Sequence, residues 1–156
     1  MGMPDFITGS DLEDLYARTI LEHARHPANR GRLAGANRRA DGENPLCGDR
    51  VTVELRIEGH LVREAAFEGD GCALSKGSAS MMTLAVQGKT VAEVERLRAT
   101  FDALVAGRPA DAEATQLGEL RAFAGVRRFP SRARCALLAW EALKSALDRN
   151  DPPPAP

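Results

Sequence analysis

The stretch Val51-Thr52-Val53-Glu54-Leu55-Arg56-Ile57-Glu58-Gly59-His60-Leu61-Val62-Arg63-Glu64-Ala65-Ala66-Phe67 decides the fold. Val51, Val53, Leu55 and Ile57 alternate with polar residues, the period of a strand with one buried face. Leu61, Ala65 and Phe67 continue that period, with Arg63 as the exception, and Gly59 marks a turn between the runs. Two registers are open. A two-residue loop, Gly59-His60, pairs Ile57 with Val62 and sets the apolar stripes on opposite faces. A three-residue loop, Glu58 to His60, pairs Ile57 with Leu61 and aligns them. The aligned register is the expected one.

Outward from the hairpin the pattern turns helical. Asp11 or Ser10 caps a helix to about Arg25, with Leu12, Leu15, Tyr16, Thr19, Ile20 and His23 at helical spacing, and Pro27 ends it. Residues 27–33 read as a basic turn, and residues 34–46 as a short edge strand followed by a loop at Asn44-Pro45. After the hairpin, Gly69-Asp70-Gly71-Cys72 makes a tight turn into a small-residue helix ending near Gly88. Thr90 and Glu93 form a capping-box pattern for the next helix. Residues 114–124 suggest a short helix. Pro130-Ser131 opens the last one, with Ser131 as cap and an apolar face of Cys135, Leu138, Ala139, Ala142, Leu143, Ala146 and Leu147. These readings predict an α+β domain over residues 11–148: a small antiparallel sheet of two long strands and a short third, with several helices on one face. A flexible leader (1–10) and a proline-rich, disordered tail (149–156) flank it.

Composition narrows the function. The chain has 156 residues, 44% hydrophobic and 28% charged, enough for one soluble globular domain. Aromatics are 4%, so the core must be mostly aliphatic. A net charge of −1 supplies no general attraction to nucleic acid or anionic lipid. The longest uncharged apolar-leaning stretch, Gly77 to Gly88, is too short to span a membrane. The acidic amino terminus lacks the basic region of a secretory signal, and Phe6 stands where a myristoylation motif needs Ser or Thr. A cytoplasmic protein is expected.

The three cysteines, an odd number, favour metal or sulfur chemistry over a disulfide framework. Each lies at a junction between predicted elements. Cys47 precedes the first hairpin strand, Cys72 starts a helix after a Gly-x-Gly turn, and Cys135 falls near the first turn of the last helix. Helix amino termini favour thiolates, which places Cys72 and Cys135 well for that state. The antiparallel hairpin returns the chain, so Cys47 and Cys72 come together. With Cys135 and Asp49 they would make a four-ligand site suited to tetrahedral zinc, or to an iron–sulfur cluster. Taken singly, each residue has an ordinary explanation: Cys135 as a buried small hydrophobe, Asp49 as a turn residue.

Four segments carry a resemblance. Asn44-Pro45-Leu46-Cys47-Gly48-Asp49, Gly69-Asp70-Gly71-Cys72-Ala73-Leu74-Ser75, Ser78-Ala79-Ser80-Met81-Met82, and Phe129 through Trp140 (FPSRARCALLAW) resemble the IscU/SufU iron–sulfur cluster assembly proteins. Leu15-Tyr16, Ile20, His23, Pro27, Asn29 and Gly31 match that family's first helix and turn. Within the family the chain is similar to the SufU branch. Arg134 stands where IscU-type proteins place a histidine. Val126-Arg127-Arg128-Phe129-Pro130-Ser131 replaces their Leu-Pro-Pro-Val-Lys chaperone motif, and the segment between Cys72 and Cys135 is long, as in SufU.

The resemblance implies that Cys47, Asp49, Cys72 and Cys135 bind one Zn²⁺ (alternatively, or transiently, an iron–sulfur cluster). It implies that Cys47 accepts persulfide sulfur from a SufS-type, PLP-dependent cysteine desulfurase and relays it for cluster assembly, with downstream Suf proteins as further partners. A metal-bound thiolate is a muted nucleophile, so the partner must open the site. Arg127 or Arg128 reads as a gate or partner contact. A dedicated Hsp70-type chaperone, nucleic acid and membrane are not expected partners. Two rivals stand beside this sulfurtransferase-like activator: a scaffold that builds a cluster on the same cysteines, and a structural zinc module whose thiolates never react. His23 matches a structural family position and His26 matches none; both read as packed or exposed histidines rather than metal ligands, and His60 reads as solvated. Arg25, Arg30, Arg32, Arg38 and Arg39 form a basic patch, either solvated or facing the desulfurase.

Overall fold

The computed structural model describes residues 9–45, 48–108 and 112–148. The element order is α1 (Gly9–Arg25), β1 (Arg38–Asn44), β2 (Asp49–Glu58), β3 (Leu61–Glu68), α2 (Ala73–Val86), α3 (Val91–Ala106), a run of 3₁₀ turns (Ala112–Arg128) and α4 (Pro130–Asp148). The three strands form one antiparallel sheet in the order β1-β2-β3. This is the expected α+β arrangement, with β1 as the third strand at seven residues. The leader and tail expected at 1–10 and 149–156 lie outside the described residues, apart from Gly9 and Ser10, which open α1.

The hairpin corrects the expected register. Glu58 pairs with Leu61 and Ile57 with Val62, so the loop is the two-residue Gly59-His60, with Gly59 at φ 62°. That is where a type II′ turn places glycine. The pairing then shifts between Arg56 and Ile57: Arg56 meets Glu64, and Arg63 is left as the extra residue of a bulge. Beyond it Leu55 faces Ala65 and Val53 faces Phe67. The stripe on β3 is therefore Val62, Ala65 and Phe67, all 2% exposed or less, and Arg63 is no exception to it. The energetics favour this solution. A bulge forfeits about one ladder hydrogen bond, a net ~0.5–1.5 kcal/mol. Turning Phe67 and Ala65 toward water would lose more, since a large apolar side chain alone contributes ~1.5–3 kcal/mol. The Asn37 amide also closes the backbone there, donating to Ile57 O at 2.7 Å and accepting from Ile57 N–H at 2.8 Å.

The helices complete one core. α4 crosses β1 and β2, and α2 lies against β3 and α4. Close approach requires small residues: a Cβ on Gly42 of β1 would come within 3.2 Å of Leu138. Trp140, buried to 1%, stacks on Phe101 at 4.5 Å, and Phe123 meets Phe101 edge-on at 5.6 Å. Three aromatics thus gather where α3, α4 and the 3₁₀ run meet, while Phe67 sits on a sheet face that is otherwise largely aliphatic. The predicted capping box at Thr90 and Glu93 is present on α3, and Gly107 ends that helix in the left-handed conformation. The predicted short helix at 114–124 is instead the 3₁₀ run, kinked at Gly118. α4 begins two residues earlier than a cap at Ser131 implies. Pro130 takes the first helical position, where its missing N–H costs nothing, so Ser131 lies inside the helix. Among the described residues no helix is long and apolar enough to cross a membrane.

The turn after β3 is the tightest point. Gly69 has φ 146°, and a Cβ there would lie 2.1 Å from Arg50 O. We therefore expect Gly69→Ala to lower unfolding free energy by roughly 2–4 kcal/mol, from backbone strain plus overpacking. Gly59→Ala, whose Cβ would meet open space, should cost less; urea melts of the two variants compare them.

Candidate metal centre

The end of the sheet opposite the hairpin loop builds the site. β1 and β2 close at the pair Asn44–Asp49, and Gly48 N–H donates to Asn44 O at 2.8 Å. Asp49 is thus the first residue of β2, and it is 4% exposed. β3 runs back alongside and its chain turns at Gly69-Asp70-Gly71. Arg50 N–H donates to Asp70 O at 2.8 Å, which pins that turn against the start of β2. Cys72 then caps α2 in extended conformation.

Asp49 and the α2 terminus are joined directly. Cys72 N–H donates to Asp49 Oδ1 at 3.2 Å, and Ser75 Oγ–H donates to Asp49 Oδ2 at 2.6 Å. Free N–H groups at a helix start suit a carboxylate, which here comes from a strand rather than from the helix itself. Gly71 leaves room for it: a Cβ there would sit 3.1 Å from the Asp49 carboxyl carbon.

α4 supplies the third segment. Cys135 is 3% exposed, and its Sγ lies 3.7 Å from Ser131 O. It is the sixth residue of α4, so it stands in the second turn and not near the helix start as expected. The helix dipole acts mainly over the first turn and does little for this thiol. Ser75 Oγ lies 3.4 Å from Cys135 O and 3.6 Å from Cys72 Sγ, bridging α2 and α4 beside the carboxylate.

Asp49, Cys72 and Cys135 each offer one ligand atom, and these lie within 4.8 Å of one another. In a tetrahedral site with bonds of ~2.0–2.3 Å, ligand atoms stand ~3.5–3.8 Å apart. A shift of about an ångström closes the group on an ion, and one carboxylate with two thiols is a donor set that suits a borderline-soft cation. No histidine belongs to this group among the described residues. His23 Nδ1 bonds Ser80 Oγ at 2.9 Å and its Nε2 meets Glu119 at 3.3 Å, tying α1 to α2 and the 3₁₀ run. His26 and His60 are exposed. The basic patch is uneven: Arg25, Arg30 and Arg32 are exposed, whereas Arg38 and Arg39 are half-buried on β1.

Cys47, the expected sulfur acceptor, lies outside the described residues, as do the side chains of Arg127 and Arg128. Ser75 is the residue the sequence reading passed over. Its signal was the spacing Cys72-x-x-Ser75, which places a hydroxyl one turn beyond the cap and on its side of the helix. An apolar groove of about 390 Å³ is lined by Leu21, Leu74, Val126, Phe129 and Arg132 among others, and it includes Ala73, the residue after Cys72. Phe129 is 60% exposed.

The chain is similar to known proteins over most of its length. The zinc-dependent sulfurtransferase SufU of Bacillus subtilis is 36% identical over 142 residues, covering 91% of this chain and 95% of that protein. The iron–sulfur cluster assembly scaffold protein IscU of Streptococcus pyogenes is 38% identical over 141 residues, covering 90% and 87%. A crystal structure of a candidate iron–sulfur cluster assembly scaffold protein for the SUF system from Fervidobacterium islandicum superposes with a TM-score of 0.80 at 30% identity, over 87% of this chain and 98% of that one. The model of the NifU-like N terminal domain matches residues 15–136. With its whole sheet and the residues Asp49, Cys72 and Cys135 inside that span, the chain belongs to the NifU-like N-terminal domain family.

Proposed function

We propose that this protein is a zinc-dependent sulfur acceptor, which takes persulfide sulfur from a cysteine desulfurase and relays it for iron–sulfur cluster assembly in the cytoplasm. The observation that carries this reading is the meeting of the Asp49 carboxylate with the Cys72 and Cys135 thiols, drawn from three separate segments. Cys47, two positions before Asp49, is assigned as the fourth ligand. The Bacillus relative bears the name of a zinc-dependent sulfurtransferase, which favours zinc.

When bound, zinc keeps its cysteine ligands deprotonated at neutral pH. Asp49 contributes a hard oxygen to an otherwise thiolate set. Buried Cys135 anchors the site to α4, and Cys72 anchors it to α2. In sequence Cys47 falls between the end of β1 and the start of β2, and we assign it the transfer step. Its thiolate, freed when the partner docks, attacks the outer sulfur of the desulfurase persulfide. The S–S bond breaks, the desulfurase cysteine leaves as a thiolate, and Cys47 carries the sulfur as a persulfide. We assign the groove beside Leu74 and Phe129 to the desulfurase, because exposed apolar surface of this kind marks an interaction site.

The Streptococcus relative, named a scaffold, keeps a second reading in view: a cluster built on the same thiols. Protein purified anaerobically separates the two. The zinc reading expects a colourless protein with about one zinc per chain; the scaffold reading expects a brown one.

Two predictions follow the assignment. Cys47→Ala should abolish sulfur acceptance and desulfurase stimulation while part of the zinc stays bound. Radiolabelled sulfur transfer with metal analysis measures both, and undiminished transfer would reject Cys47 as acceptor. Phe129→Glu should leave zinc content unchanged and weaken stimulation at least tenfold at sub-saturating protein; an unchanged titration would remove the groove from the interface.

A further inference from the structure

We infer that Ser75 is a positioning residue of the metal centre, holding the Asp49 carboxylate in the orientation that binds the ion. The inference rests on the proposed reading of Asp49, Cys72 and Cys135 as ligands. The contact is short and buried: Ser75 Oγ to Asp49 Oδ2 is 2.6 Å, with the two residues 8% and 4% exposed. That is the length of a charge-assisted O–H···O⁻ bond.

A serine hydroxyl has one proton, and three acceptors compete for it. Asp49 Oδ2 is at 2.6 Å, Cys135 O at 3.4 Å and Cys72 Sγ at 3.6 Å. The nearest acceptor also carries the charge, so the proton goes to Asp49. The Cys72 N–H on Oδ1 and the Ser75 O–H on Oδ2 together fix the carboxylate plane. A carboxylate oxygen carries more than one lone pair, so a hydrogen bond and a metal bond are compatible at the same atom. Outer hydrogen bonds of this kind orient metal ligands, and losing one typically weakens binding ~10–100-fold.

Ser78 shows what a purely structural serine does in the same place. One turn further along α2 and fully buried, it donates to Ala136 O at 2.6 Å and accepts from Trp140 Nε1–H at 3.1 Å. It ties α2 to α4 and, among the described residues, bonds none of the proposed ligands. Ser75 gives its proton to the carboxylate instead.

The test measures Zn²⁺ affinity by chelator competition, and thermal stability of the metal-free protein, for the parent, Ser75→Ala, Ser75→Thr and Ser78→Ala. The expected result is a ~10–100-fold loss of affinity in Ser75→Ala, recovery to within threefold of the parent in Ser75→Thr, and no loss in Ser78→Ala despite its lower melting temperature. Parent-like affinity in Ser75→Ala, or equal losses in Ser75→Ala and Ser78→Ala, would overturn the positioning role while leaving the ligand assignment intact. If Ser75→Ala fails to fold, Ser75→Thr against Ser78→Ala decides: affinity retained by both supports the role, and a greater loss in Ser75→Thr contradicts it. A parent that binds no zinc would overturn the ligand assignment, and this inference with it.

Discussion

A carboxylate taken out of water must be met by hydrogen-bond donors, and the site is organised around one such meeting. Asp49 sits at the first position of β2, nearly inaccessible to solvent, with its oxygens on the backbone of Cys72 and the hydroxyl of Ser75. An isolated buried carboxylate is very costly; one held by the donors of a helix start is tolerable. This contact is also the point where the sheet is fastened to α2. The tight turn at Gly69, the Arg50–Asp70 backbone bond and the missing side chain at Gly71 all serve the same approach.

From that junction the rest of the architecture has a reason. The hairpin must return β3 beside the start of β2, so its length and register determine where Cys72 begins. The bulge at Arg63 allows a two-residue turn without forfeiting the shared apolar face. α4 must then lie close enough to bring Cys135 to the same end of the sheet. The small residues Ala136, Ala139 and Ala142, all buried, and Gly42 beneath Leu138 allow that approach. A single tryptophan on α4 locks the helix against α2 and α3 through Ser78 and Phe101.

Much of this was legible in the residues. Alternation marked β2, Thr90 with Glu93 marked the start of α3, and the seven-residue face of α4 marked a buried helix. What failed was local. The apolar count along β3 could not reveal a bulge, because one inserted residue reverses the inward set and alternation alone does not show where. Pro130 outweighed Ser131 as the start of α4, since fixed φ and a missing N–H suit the first helical position better than a hydroxyl suits the cap there. That puts Cys135 two positions deeper than expected, in the second turn. At the site, the hairpin argument explained why residues near 49 and 72 meet. The arrival of Cys135 from α4 followed only from likeness to a family, because no local pattern measures a distance across that many residues. Ser75 went unnoticed because serine near a helix start is common, and its value depends on a carboxylate contributed from elsewhere.

Under the proposed function, one oxygen and three sulfurs, from four positions in three segments, share a single ion. X-ray absorption at the zinc edge of the purified protein reads that donor set. The expected spectrum has three sulfurs at ~2.3 Å and one oxygen at ~2.0–2.2 Å from the metal. A shell of nitrogen and oxygen alone, or one with fewer than three sulfurs, would contradict it.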